Sequence, residues 1–180
     1  MKAMIIPGNG NTDISENWFP YTKRALEKLG VKVIAKNMPD PELARKEYWL
    51  PFIEQQLAGD SNAILIGHSS GAIAILRYLE KHKAQGAVLV GAYYTDLNYE
   101  NERKSGYFNE PWHWEKIKHN VKWIIQFAST DDPFIPIQEA QYVHDKLNTE
   151  YHEFNNQGHM GADVNKLEFP ELVEAVKKKL

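Results

Sequence analysis

Apolar positions in this chain gather into short runs separated by polar, turn-forming stretches. Lys2–Ile6 is such a run and reads as a buried strand, closed by the turn-rich Pro7-Gly8-Asn9-Gly10-Asn11. Trp18–Leu29 has helical spacing and stops at Gly30, while Val31–Lys36 is β-branched and alternating, as in a strand. Glu42–Leu57 again has helical spacing, with Pro51 placed to kink or divide it. Ala63–Ile66 is a third short apolar run, and Gly71–Leu79 is helical and apolar nearly all round. Such a helix must be packed between other layers. Strand patterns over Gly86–Val90 and Val121–Phe127 follow, then a helix over Ile137–Leu147, a strand over Glu150–Phe154 and a last helix over Phe169–Leu180.

Six strands alternating with helices predict one α/β domain over residues 1–180, its mostly parallel sheet covered on both faces. One stretch breaks the rhythm. Residues 93–120 are charged, aromatic and too long for a simple connection, which predicts a lid-like excursion over the active-site end of the sheet.

The link between the third strand and the apolar helix is Gly67-His68-Ser69-Ser70-Gly71, which fits G-x-S-x-G. In that motif a strand turns sharply into a helix, and the central residue sits on a strained, exposed corner. Ser69 takes the apex and Ser70 opens the helix. His68, just before the apex, is expected to support the corner rather than act chemically. A glycine-serine loop between strand and helix is also ordinary turn chemistry. Catalysis therefore requires a suitably placed acid and histidine.

In sheets of this kind, sites lie beyond the carboxyl ends of the strands. After the fifth strand comes Ser129-Thr130-Asp131-Asp132-Pro133, and after the sixth comes Asn155-Asn156-Gln157-Gly158-His159. The order serine, aspartate, histidine is that of the α/β-hydrolase triad. A serine hydroxyl needs a base to become a nucleophile, imidazole can take and return that proton, and a carboxylate holds the ring in the right tautomer. Of the two neighbouring aspartates, Asp132 is the expected acid. Adjacent residues leaving a strand point to opposite sides, and Pro133 biases residue 132 toward an extended backbone. Asp131 is expected to serve as a turn ligand.

Composition narrows the chemistry. The chain is 43% hydrophobic and 25% charged, as in a globular protein, and its net charge of -3 with scattered basic residues argues against a nucleic-acid surface. It has no cysteine, which excludes thiolate nucleophiles, thiolate metal sites and disulfides. No H-x-x-x-H pair occurs, so no metal or other cofactor is expected. The apolar run Ala3–Ile6 is far too short for a signal peptide or a membrane span, so a cytoplasmic protein without membrane partners is expected.

The stretches "PGNG", "AKNMPDP", "WLPF", "IGHSSGAIA", "ENERKSGYF", "PWHWEKIK", "STDDPF" and the late "GH" run in order from residue 7 to 159. In them the chain resembles the small serine hydrolases typified by retinoblastoma-binding protein 9 and the bacterial YdeN-type proteins, within the α/β-hydrolase superfamily. The resemblance implies a compact α/β-hydrolase fold without the extra antiparallel strands of larger relatives, and a triad of Ser69, Asp132 and His159. The namesake's L-x-C-x-E segment matches Leu57, Gly59 and Ser61 here, so binding to retinoblastoma-type proteins is not expected.

The expected oxyanion donors are the main-chain N–H of Ser70 and one from the loop after the first strand, for which Asn9 is the best candidate. That loop lacks both G-x-G-x-x-G spacing and a GK[ST] ending, which argues against nucleotide binding. Tyr107, Phe108, Trp112 and Trp114 either wall the substrate pocket or clamp the excursion to the core. The expected function is hydrolysis of small esters or amides through an acyl-serine intermediate. A binding protein with an idle triad, or a peptide-directed hydrolase, are the rivals.

Overall fold

Successive side chains of a strand point to opposite sides, so strands apolar at every position need cover on both faces. The computed structural model describes all 180 residues and meets this demand. Its strands are β1 (Lys2–Ile6), β2 (Lys32–Ala35), β3 (Ile64–His68), β4 (Gly86–Val90), β5 (Ile124–Ser129) and β6 (Glu150–Phe154). They form one sheet in the order β2-β1-β3-β4-β5-β6, parallel at every pairing. The helices are α1 (Phe19–Lys28), α2 (Lys46–Leu57), α3 (Ser70–Leu79), α4 (Glu100–Ser105), α5 (Trp114–Asn120), α6 (Ile137–Leu147) and α7 (Pro170–Lys177).

Ala3, Ile5, Ile66 and Val88 face α1 and α7 and pack with Phe19, Leu26, Leu172 and Val176. Their strand neighbours Met4, Ile6, Leu65 and Leu89 turn the other way, to Trp49 and Ile53 of α2, to α3, and to Val143 of α6. Every residue of α3 is buried, as a helix apolar nearly all round requires. No helix is long and apolar enough to cross a membrane.

Several boundaries differ from those the sequence pattern suggests, and three of them have a visible cause. Helix α2 begins at Lys46 rather than Glu42, because Asp40 ties residues 40–45 into a turn. Its carboxylate accepts from Arg45 N at 3.0 Å and Nε at 2.9 Å, and both Asp40 and Ala44 have positive φ. The helix then runs undivided through Pro51. Strand β5 starts at Ile124 rather than Val121, since Val121 bridges Ala84 in isolation. Helix α7 starts at Pro170, which needs no N–H partner at a first turn, and leaves Phe169 buried outside it.

Residues 93–120 carry α4 and α5, and a charge buried in the apolar helix α3 holds them down. The Arg77 side chain is 2% exposed. Its guanidinium donates to the carbonyls of Tyr107 (2.6 and 2.8 Å), Glu110 (2.6 Å) and Pro111 (3.0 Å), and lies 3.6 Å from the centre of the Trp112 ring. Five donors in a rigid fork suit this task, which a lysine could not perform.

Strand β1 has β2 on one side and β3 on the other. The chain reverses its direction of winding there, and the loops after β1 and β3 part to leave a crevice at the carboxyl edge of the sheet.

Candidate active site

The crevice is built on a corner. Ser69 joins β3 to α3 with φ 54° and ψ -121°, a conformation that costs a non-glycine residue about 1–3 kcal/mol. Its N–H is held by the Val90 carbonyl at 2.8 Å. The flanking glycines are required by crowding. A β-carbon on Gly67 would lie 2.5 Å from the Gly71 main chain, and one on Gly71 would lie 2.3 Å from the Ile6 carbonyl oxygen. The head of α3 is thus pressed against the ends of β1 and β3, with the Ser69 side chain turned into the crevice.

Two loops bring a histidine and a carboxylate to the same place. His159 Nδ1 donates to Asp132 Oδ2 at 2.7 Å, with the two side chains 13% and 4% exposed. The other Asp132 oxygen accepts from the N–H groups of Phe134 (2.9 Å) and Ile135 (3.0 Å), so the carboxylate cannot rotate. The bond to Nδ1 leaves His159 Nε2 free to accept a proton. Ser69 and His159 line the same cavity, and no hydrogen bond joins the Ser69 hydroxyl to the imidazole in this structure. Such bonds commonly tighten only when substrate is bound.

Asp131 has a different job. Its carboxylate accepts from Ser129 Oγ at 2.5 Å and from the N–H groups of Gln157 and Gly158 at 3.2 Å, and these bonds, that of Ser129 first, hold it below the usual carboxylate range. It anchors the loop that delivers His159.

His68 is buried beside that loop. Its Nε2–H donates to the His159 carbonyl at 2.8 Å, and the two rings lie 4.8 Å apart. Burial first, and then the neighbouring His159, push its pKa down to about 3. A ring that stays neutral and spends its only donor on the main chain is a support, as expected from its place in the motif.

The cavity holds about 450 Å³. Gly8 and Asn9 of the β1 loop form one side, Tyr93, Leu97 and Glu102 another, and Phe134 and Ile135 a third. Asn9 directs its side-chain amide to Glu102, and its main-chain N–H has no partner within the protein. Ser70 opens α3, so its N–H is among those without an intrahelical acceptor.

The four aromatic residues expected around the pocket do not line it. Tyr107 is fully buried, and Phe108, Trp112 and Trp114 pack against the core on the α3 side. Trp112 Nε1–H donates to the Tyr94 carbonyl at 2.8 Å and its ring stacks on Trp114. The arginine under them draws them to the core, so of the two readings the clamp is the one observed. The residues that do line the cavity from this excursion, Leu97, Tyr99 and Glu102 among them, come from its first half.

Sequence reading also passed over Asp163 and Gly91. Asp163 accepts from His159 N at 2.6 Å and Gly161 N at 3.2 Å. Gly91 has φ +61°, and a β-carbon there would sit 3.2 Å from His159 Cε1. Gly91 follows β4 directly, at the carboxyl edge where sites gather, and that was its available signal.

A parallel sheet sandwiched by helices, with a strained serine corner at its carboxyl edge, defines an α/β hydrolase. The structure of MGS-M2, an α/β hydrolase enzyme from a Medee basin deep-sea metagenome library, shares the fold with a TM-score of 0.75 at 14% identity, covering 99% of this chain and 88% of that one. The chain belongs to the Serine hydrolase family, whose model matches residues 3–178. It is 50% identical to Serine hydrolase RBBP9 of Rattus norvegicus over 181 residues, 99% of this chain and 95% of that protein. It also resembles the ydeN gene product of Bacillus subtilis, whose crystal structure superposes with a TM-score of 0.91 at 26% identity, covering 99% and 97% of the two chains.

Proposed function

We propose that this serine hydrolase cleaves small esters or amides through an acyl-enzyme on Ser69, with His159 as base and Asp132 as the carboxylate that holds it. The observation that carries the reading is the His159–Asp132 bond of 2.7 Å at the rim of the cavity that Ser69 lines. The Ser69 hydroxyl proton passes to His159 Nε2 as Oγ bonds to the substrate carbonyl carbon, whose π pair moves onto oxygen. The main-chain N–H groups of Ser70 and Asn9 receive that oxyanion. Collapse breaks the bond to the leaving group, which takes the proton from His159. Water then repeats both steps, releases the acid and restores Ser69.

A cavity of about 450 Å³ with apolar Leu97, Phe134 and Ile135 on its walls suits small acyl groups. Turnover of p-nitrophenyl esters of increasing acyl length, beside aminoacyl amides, tests this. Release of p-nitrophenol from the short esters is expected. A folded protein that turns over no ester or amide would leave the idle-triad reading in its place.

A further inference from the structure

A carboxylate that the catalytic scheme does not use lies in the cavity wall. Glu102 of α4 is 7% exposed and has both oxygens occupied. Oε1 accepts from Asn9 Nδ2 at 2.9 Å, across 93 positions of sequence. Oε2 accepts from the Tyr93 hydroxyl at 2.7 Å, and that hydroxyl lies 3.4 Å from Ser70 Oγ. Tyr93 and Ser70 are each 1% exposed. The two residues proposed to receive the oxyanion are therefore linked through one buried carboxylate and the Tyr93 hydroxyl.

We infer that Glu102 is a positioning residue for the oxyanion pocket, holding the β1 loop at Asn9 in register with the head of α3 at Ser70. The inference rests on the proposed roles of Asn9 and Ser70. Three observations favour it over other uses of a buried acid. Each Glu102 oxygen already accepts one hydrogen bond, from the Asn9 amide or the Tyr93 hydroxyl, and the pair fixes the orientation of the carboxylate. The rest of the loop is held elsewhere, since Gly10 and Asn11 donate to the carbonyls of Glu42 and Pro41 at 3.1 Å. Asn9 itself is held at two points: Thr12 Oγ1 donates to its carbonyl at 2.8 Å, and its side chain has Glu102 as partner, the bond that ties it to the α3 side of the cavity.

The choice of glutamate has a reason. A carboxylate accepts from the amide and the hydroxyl at once, whereas a glutamine offers one acceptor and one donor group. In Glu102→Gln the carbonyl can keep the Asn9 amide while Tyr93 turns its proton toward Ser70, which keeps the more important half. In Glu102→Ala neither end is held.

An oxyanion donor acts on the transition state and leaves ground-state binding nearly untouched. Removing such a donor costs about 10²–10³ in kcat, and displacing one should cost about 10- to 100-fold. Steady-state ester hydrolysis should thus show Glu102→Ala losing kcat by that factor with KM within about threefold, and Glu102→Gln recovering most of it. Inhibition by phenylboronic acid, which becomes a tetrahedral anion on a serine oxygen, should weaken in parallel with kcat.

Asn9→Ala keeps the main-chain N–H and removes only the tether, so it repeats the test if Glu102→Ala does not fold. The kcat-selective loss should reappear, and adding Glu102→Gln should make it no worse. Unchanged kcat in Asn9→Ala, or a loss confined to KM, overturns the inference. Wild-type protein that is inactive and unlabelled by a fluorophosphonate overturns the hydrolase reading instead, so the two failures are distinct.

Discussion

Asp132 and Asp131 are neighbours in sequence and serve different partners. Asp132 Oδ2 receives His159 Nδ1–H at 2.7 Å, while Asp131 Oδ1 receives the main-chain N–H groups two and one residues before that histidine. One carboxylate orients the ring and the other fixes the loop that carries it.

Replacing the first by asparagine keeps the shape but favours the wrong imidazole tautomer. Asp132→Asn is expected to lower kcat by about 10⁴, by analogy with the protease triad. Asp131→Asn retains an acceptor oxygen, and should change kcat less than about tenfold and stability by about 1 kcal/mol. Steady-state kinetics and urea unfolding of both variants check this, and exchanged behaviours would contradict it.

His68 makes stability depend on pH. Its folded pKa of about 3 lies below the unfolded value of 6.5, so in that window the unfolded chain binds a proton that the folded one refuses. Stability is therefore lost as pH falls below 6.5 and is constant in this respect above it. Between pH 7 and 5 the loss from this residue is about 2 kcal/mol, at about 1.4 kcal/mol per pH unit. His68→Gln keeps a donor for the His159 carbonyl and cannot titrate. Urea midpoints at the two pH values should fall less in His68→Gln than in wild type, and equal falls would count against a neutral, buried ring.

Gly71 marks where helix and strand cross. A β-carbon there meets the carbonyl oxygens of Ile6 and Pro7 at 2.3 and 2.5 Å, and main-chain atoms cannot swing aside as a flexible side chain can. Gly71→Ala is expected to cost about 3 kcal/mol in urea unfolding. Wild-type stability would mean that the corner is looser than described.

Legibility in the sequence followed the reach of the forces involved. The parallel strands and α3 were readable because burial on both faces leaves uninterrupted apolar runs such as Ile64–Ile66 and Ala72–Leu76. The Ser69 corner and Asp132 were readable because Gly67, Gly71 and Pro133 constrain the backbone within a few residues. The cavity wall was not, because its causes are long-range. Arg77 resembles a surface charge on a helix, yet it gathers the carbonyls of Tyr107, Glu110 and Pro111 and carries the aromatic residues to the core. Glu102 sits in Glu100-Asn101-Glu102-Arg103-Lys104, which reads as a solvated charge run, and only Asn9 and Tyr93 arriving from elsewhere bury it.

The central claim is that Ser69, at the strained corner, forms the covalent bond, while the Ser70 hydroxyl meets Tyr93 and is not a nucleophile. Intact-mass measurement after exposure to a fluorophosphonate, with peptide mapping of the product, tests it most directly. Wild type and Ser70→Ala should each gain one phosphonyl adduct, at Ser69, and Ser69→Ala should gain none. An adduct on Ser70 in the Ser69→Ala protein, or folded wild type that takes up no phosphonyl group, would contradict the account.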